Sequence, residues 1–232
     1  FETSQAQGRF ADITKSAELY IHRPEFPMPL CIRDTPGVND TFMIREQITI
    51  RAIRESRLCV VVLAAHQALS SVDLALIRMI ANVKSREVII VVNRIDELPD
   101  PVNQVPEIRD SIRKTLKDHQ GPVDAEIIFG SAYWAHAALT GTLDVMDPES
   151  AQNLLSLAAA RSADPEDGID TAWEMSGLPA LYHAIADRIA ELEGLLDPAR
   201  FVGARAGLGR PNRHKLDGRP WARVDPVHEV RL

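Results

Sequence analysis

The sequence has little of several features that would narrow its function. It contains two cysteines, Cys31 and Cys59, among 232 residues, and neither lies near a histidine at ligand spacing, so zinc is not expected. No apolar run approaches the roughly 20 residues that a membrane-spanning helix needs, and no secretory signal is visible. Basic residues number 26 against 33 acidic ones, which argues against broad nucleic-acid binding. We expect a cytoplasmic chain with two buried, reduced thiols.

What the sequence does contain is an alternation of apolar runs and helical periodicity. Strand-like runs occupy 17–22, 30–33, 58–65, 87–92 and 125–129. Helical spacing predicts helices over 41–57, after Ser70, and over 107–119, 133–139, 149–161 and 178–192, with a loop over 99–106. Ser70 and Asp73 form a predicted capping box. With right-handed crossovers, this order predicts an α/β fold: a mostly parallel sheet with helices on both faces and one antiparallel hairpin at its edge.

Three short polar motifs follow three of the predicted strands. Asp34 ends the second run and is followed by Thr-Pro-Gly. Asn93-Arg94-Ile95-Asp96 follows the fourth run, and Gly130-Ser131-Ala132 follows the last. Ligands of open α/β sheets bind outside the carboxyl ends of the strands. Each motif alone also describes an ordinary turn or helix cap, whereas their shared order and position favour a nucleotide site.

In this order the motifs resemble those of P-loop GTPases, namely switch II, N-K-x-D and S-A. The resemblance implies a three-layer sandwich of the P-loop-GTPase type that binds GTP or GDP with Mg²⁺. Asp34 would hold the Mg²⁺ through water, and the backbone N–H of Gly37 would donate to the γ-phosphate.

The same resemblance assigns the base-binding residues. Asp96 would accept two hydrogen bonds from the Watson–Crick edge of guanine, while Asn93 would brace the neighbouring loops. Arg94, where the family has Lys, would cover the base with its guanidinium plane. In the motif Ser131–Ala132, the Ala132 backbone N–H would contact the guanine carbonyl.

Within the superfamily the chain looks most like a bacterial dynamin-like protein. The residues behind this are D-T-P-G-V-N-D running into a helix, V-V-V-L-A-A, N-R-I-D-E-L and S-G-L-P-A-L-Y-H-A-I. The resemblance implies a partial GTPase domain over 1–196 with an insertion at 140–175, followed by a disordered basic tail at 197–232. It also implies self-association and, in the intact protein, membrane remodelling through peripheral contact with the inner membrane. No nucleic acid is expected.

The phosphate-binding motif G-x-x-x-x-G-K-[ST] does not occur in the sequence. We therefore expect a fragment whose first strand, P-loop and switch I precede Phe1, and which binds GTP poorly by itself. Val38, after the switch glycine, cannot polarise water, so we name no catalytic residue. Two alternatives stay open: a GTPase of the ribosome-assembly type, and a pseudo-GTPase that acts as an interaction module.

Overall fold

The protein is described here from a computed structural model, which covers residues 17–21, 30–35, 43–83, 87–161 and 168–192, with the backbone alone over 43–48. The strands are β1 (Ala17–Ile21), β2 (Leu30–Asp34), β3 (Leu58–Ala64), β4 (Glu87–Asn93) and β5 (Glu126–Phe129). The helices are α1 (Met43–Glu55), α2 (Ser71–Ala81), α3 (Pro101–Asp118), α4 (Ala132–Thr140), α5 (Pro148–Ala160), α6 (Gly168–Met175) and α7 (Leu178–Leu192). The described elements fall into two units, the first holding β1, β2 and α1 and the second the rest.

In the first unit, ion pairs join a β-hairpin to helix α1. β1 and β2 pair antiparallel. The guanidinium of Arg33 contacts the carboxylates of Glu18 and Glu55, each at 2.6 Å, and Arg51 Nε donates to Glu55 at 2.9 Å. These bonds from Arg51 and Arg33 lower the pKa of Glu55. The hairpin is therefore linked to α1 by ion pairs at its partly exposed surface.

The second unit is built on a parallel sheet in the order β3-β4-β5. In the central strand, residues on both faces are buried, for example Ile89 on one face and Ile90 on the other. A β-branched run covered on both faces is typical of a parallel strand between helices. Helix α7 packs on all three strands, and α2 packs on β3 and β4. The α/β class and the parallel sheet are thus confirmed.

Among the described strands, β1 and β2 pair only with each other. The antiparallel hairpin is therefore confirmed, and its position at the edge of the parallel sheet stays a prediction. That position would need a strand between β2 and β3, which we expect to precede Phe1. The predicted burial of the thiols is wrong, because Cys31 is exposed in the two-stranded sheet and Cys59 is half-buried in the edge strand β3.

Helix α3 begins earlier than the periodicity predicts. The loop predicted over 99–106 is largely helical, because Asp100 caps the helix and Pro101 occupies its first turn, where proline needs no hydrogen-bond partner. Pro106 lies inside the helix, and buried Val105 and Ile112 on its apolar face offset the missing bond. The capping box of Ser70 and Asp73 at α2 is confirmed.

The described parts of the predicted insertion at 140–175 contribute to the core of the second unit. Besides α5 it contains α6, which the periodicity does not predict, and α6 packs against α4, α5 and α7. Trp173 on α6 is buried. The indole Nε1 of Trp134 on α4 donates to the buried Ser150 Oγ on α5 at 2.8 Å. The predicted tail at 197–232 lies outside the described residues.

At the end of β5, the backbone lies directly against the backbone of the junction between α6 and α7. A Cβ on Gly130 would lie 2.0 Å from the carbonyl oxygen of Ser176, and one on Gly177, which has φ +74°, would lie 2.5 Å from that of Phe129. Ser131 N donates to Ser176 O at 2.9 Å. Only glycine permits this approach, and it fixes where the chain leaves β5.

We predict that Gly130→Ala destabilises the protein by about 3 kcal/mol or prevents folding, because the new methyl group overlaps backbone that cannot rotate away. The matched control is Gly168→Ala, where the nearest atom to the new methyl is Leu143 Cδ1 at 3.9 Å. That variant should stay within about 0.5 kcal/mol of the parent. Urea unfolding measures the stability of both variants. Equal effects of the two substitutions would contradict the close backbone contact at Gly130.

Candidate functional site

The loops that follow β4 and β5 meet at one edge of the parallel sheet. Val92 is paired in register with Phe129, so Asn93 and Gly130 are the next residues of the two neighbouring strands. Gly130 N donates to Val92 O at 3.0 Å, and Ile95 N donates to Gly130 O at 3.3 Å. We call residues 93–98 and 130–132 the β4–β5 rim. Two of the three predicted motifs are therefore joined here.

Asn93 connects the two loops of the rim directly. Its Oδ1 accepts a hydrogen bond from Ala132 N at 2.9 Å. The resemblance predicts that Asn93 connects neighbouring loops, and this bond is a contact of that type. The same bond uses the Ala132 N–H that the resemblance assigns to the guanine carbonyl, so a base would have to share or replace it. The role of Ala132 toward a base stays a prediction.

Ser131 supports the rim from within. It is fully buried, and its Oγ caps α4 by accepting from Trp134 N at 3.1 Å. Its hydroxyl is thus committed to the helix start, and its contribution to a ligand site is to position Ala132.

Arg94 turns the chain at the end of β4. Its φ of 70° lies in the left-handed region, which is uncommon for a non-glycine residue, and a 3₁₀ turn over Ile95–Glu97 follows. The exposed guanidinium is paired with Glu97, at 2.8 Å from Nε. An exposed pair of this kind contributes little, about 0–1 kcal/mol. Arg94 therefore loses little if it leaves Glu97 to cover a ligand.

Asp96 lies in the 3₁₀ turn, and its residue surface is 7% exposed. Its carboxylate makes no hydrogen bond or ion pair with any residue in the described part of the chain. In the described part of the chain, the fully buried side-chain atoms without a hydrogen-bond partner are Trp173 Nε1 and His183 Nε2, so the oxygens of Asp96 stay accessible to water and to a ligand. A ligand with adjacent N–H donors would satisfy both oxygens of this group.

Asn153 on α5 is a site residue that the sequence did not indicate. Its Nδ2 donates to the backbone oxygens of Asp96 at 2.9 Å and Leu98 at 2.8 Å. These two bonds hold the turn that carries the carboxylate. No local signal marks Asn153, since it lies 57 residues along the chain from Asp96 in a helix whose sequence shows only ordinary amphipathic spacing.

Asp34, the predicted metal ligand, ends β2 in the first unit and is exposed. Gly37 lies outside the described residues. No group of three or more His, Cys, Asp or Glu side chains suited to a metal occurs among the residues that the structure describes. Mg²⁺ commonly uses one or two carboxylates together with substrate phosphates, so Asp34 fits Mg²⁺ only beside a bound nucleotide. Its role stays a prediction.

Comparison with known proteins adds no assignment. No protein-family model matches the chain, and no curated protein sequence is significantly similar to it. Among the described helices, none combines the length and the apolar character needed to cross a bilayer.

We predict that Asn153→Ala loosens the Ile95–Glu97 turn without unfolding the protein. Two hydrogen bonds, each contributing about 1 kcal/mol, are lost from a partly buried position. Hydrogen exchange should show amides in 95–98 exchanging at least about tenfold faster. The control is Gln152→Ala, an exposed neighbour on α5. Unchanged exchange in the Asn153 variant would mean that the turn does not depend on α5.

Proposed function

We propose that the chain is the carboxyl-terminal part of a GTP-binding domain of the dynamin-like type, with the β4–β5 rim as its guanine site. The observation that carries the proposal is Asp96, a residue that is 7% exposed and whose carboxylate makes no hydrogen bond or ion pair in the described part of the chain. The Asn93–Ala132 bond supports it, because it joins the two motifs that the resemblance places around the base.

The chemistry of the two partners is complementary. Guanine presents an N1–H and an exocyclic N2–H₂ side by side, which match the two acceptor oxygens of a carboxylate. Adenine has no N–H at N1 and only a C–H at C2, so in the same pose it would leave both carboxylate oxygens unpaired. Leaving a buried polar group unsatisfied costs about 1–3 kcal/mol, and more when it is charged. A site of this type therefore selects guanine over adenine.

The proposal assigns base recognition to this chain and no catalytic residue. The sequence contains no G-x-x-x-x-G-K-[ST], so strong binding of the β- and γ-phosphates is not expected of these residues. Bound Mg²⁺ would neutralise phosphate charge, and Asp34 and Gly37 are the residues proposed to face it and the γ-phosphate. GTP hydrolysis is proposed for the intact protein.

We predict that Asp96→Asn changes the base preference of the chain from guanine to xanthine. An amide offers one acceptor and one donor, which match the N1–H and the C2 carbonyl of xanthine. Ligand-observed NMR with GMP, AMP and XMP at millimolar concentration measures the preference. The parent should favour GMP over AMP by at least about tenfold, the lower end of the cost of an unpaired buried charge.

The control for this experiment is Asp124→Asn, which removes an exposed carboxylate in the turn before β5 and should leave the GMP preference unchanged. Equal responses to GMP and AMP in the parent protein, or a GMP preference that survives in the Asp96 variant, would rule out the base assignment. In that case an interaction module without nucleotide binding becomes the better proposal.

The dynamin-like part of the proposal is tested on the intact protein. We expect it to sediment with anionic liposomes, and to self-associate, more strongly with a non-hydrolysable GTP analogue than with GDP. Ribosome binding without liposome binding would instead favour the ribosome-assembly type. Membrane and ribosome binding are measured in the same sedimentation assay, with GDP and ATP analogues as controls.

A further inference from the structure

A groove runs between α3 and α5 in the second unit. Its volume is about 270 Å³. The groove is lined by five aliphatic residues and three charged ones, namely Val102, Val105, Pro106, Leu157, Ala160, Arg109, Asp110 and Arg161. We call this surface the α3–α5 groove. Val105 and Leu157 are almost fully buried beneath it, while Pro106 and Ala160 are exposed, and amphipathic helices bind in apolar grooves in other proteins.

The guanidinium of Arg109 is fixed at the groove. Its Nη1 donates to Ile127 O at 3.3 Å, and its Cζ lies 4.8 Å from the centroid of the Phe129 ring. Burial lowers the pKa of Arg109, and the nearby charges of Arg113 and Arg161 lower it further. The groove therefore presents a cation that is held in place by a backbone oxygen and an aromatic face.

Positive charge at this surface is only partly neutralised. Arg113 and Arg161 make no ion pair with any residue that the structure describes. Among the described residues, Asp110 is the carboxylate whose charge favours the protonated form of Arg109. The chain as a whole has a formal net charge of −7. A local excess of arginine on an acidic protein, beside an apolar floor, favours a partner that is both apolar and anionic.

We infer that the α3–α5 groove binds an acidic amphipathic helix of a partner protein. Aliphatic residues of that helix would rest on Pro106 and Ala160, which are the exposed aliphatic residues of the groove. Its carboxylates would pair with Arg109 and Arg161, where arginine can form two parallel hydrogen bonds to one carboxylate. This inference does not depend on the guanine site, since none of the residues lining the groove belongs to the β4–β5 rim.

The test uses the full chain and a synthetic probe. The probe is a 14-residue peptide with leucine at i, i+4, i+7 and i+11 and glutamate and alanine elsewhere. Two control peptides have the same composition in scrambled order, or lysine in place of glutamate. Titration into ¹⁵N-labelled protein should give saturable shifts at Val105, Leu157 and Arg161 below about 1 mM. Binding should be at least about tenfold tighter than that of either control, a difference of about 1.4 kcal/mol.

Variants distinguish the groove from nonspecific attraction. Arg161→Gln should weaken probe binding at least fivefold, and because the side chain is exposed the fold should be unchanged. Arg78→Gln on α2 removes an equally exposed arginine and should have no effect. Arg109→Gln should weaken binding further, with thermal unfolding as the check on its fold. Equal binding of the scrambled peptide, or an Arg161 variant that binds normally, would overturn the inference.

If the groove binds something other than a partner helix, the titrations give different results. Inorganic phosphate or anionic vesicles that produce the same shifts at lower concentration than the peptide would mean an anion or lipid site, and would overturn the inference.

The chain also has an acidic segment at 162–167 directly after Arg161. If neutralising Asp164, Glu166 and Asp167 tightens peptide binding more than tenfold, the chain's own segment is the occupant and the inference fails. Unchanged binding supports a separate partner.

Discussion

The parallel pairing of β4 with β5 is the constraint on which the candidate site depends. Because Val92 and Phe129 are in register, both strands end at the same level, and their following loops leave the sheet side by side. Short backbone hydrogen bonds between Gly130 and the β4 loop then fix the spacing. Parallel strands bring loops from distant parts of the sequence to one edge in this way, which is why such edges bind ligands so often.

Glycine at the end of β5 makes this arrangement possible. The carbonyl of Ser176 occupies the space in which a side chain of residue 130 would lie, and it accepts the hydrogen bond from Ser131 N. The α6–α7 junction thereby supports the loop from behind, while Asn93 supports it from β4. The loop is held on two sides before any ligand arrives, so little entropy remains to be lost on binding.

Much of this organisation could be predicted from the sequence because local rules determine it. The buried run of β4 and the capping box at Ser70 depend on neighbouring residues alone, and α7 begins and ends as its amphipathic spacing predicts. The error at the start of α3 is also local, because Pro101 and Pro106 suggested a loop, although proline in a first turn is compatible with a helix.

The features that the sequence could not predict depend on contacts between residues far apart in the chain. α6 has only eight residues, too few for periodicity to identify. The contact of Asn153 with the Asp96 turn spans 57 residues, and nothing near Asn153 distinguishes it from any other polar residue on a helix.

Helix α5 links the two surfaces for which a ligand is proposed. Asn153 holds the Asp96 turn, and Leu157, one helical turn further along, lines the α3–α5 groove with Arg161 beyond it. Residues four apart lie on the same face of a helix. A partner that displaced α5 would therefore act on the two hydrogen bonds that position the carboxylate. If binding at the groove changes the guanine affinity by some factor, guanine must change the affinity of the groove by the same factor, because coupling between two equilibria is reciprocal.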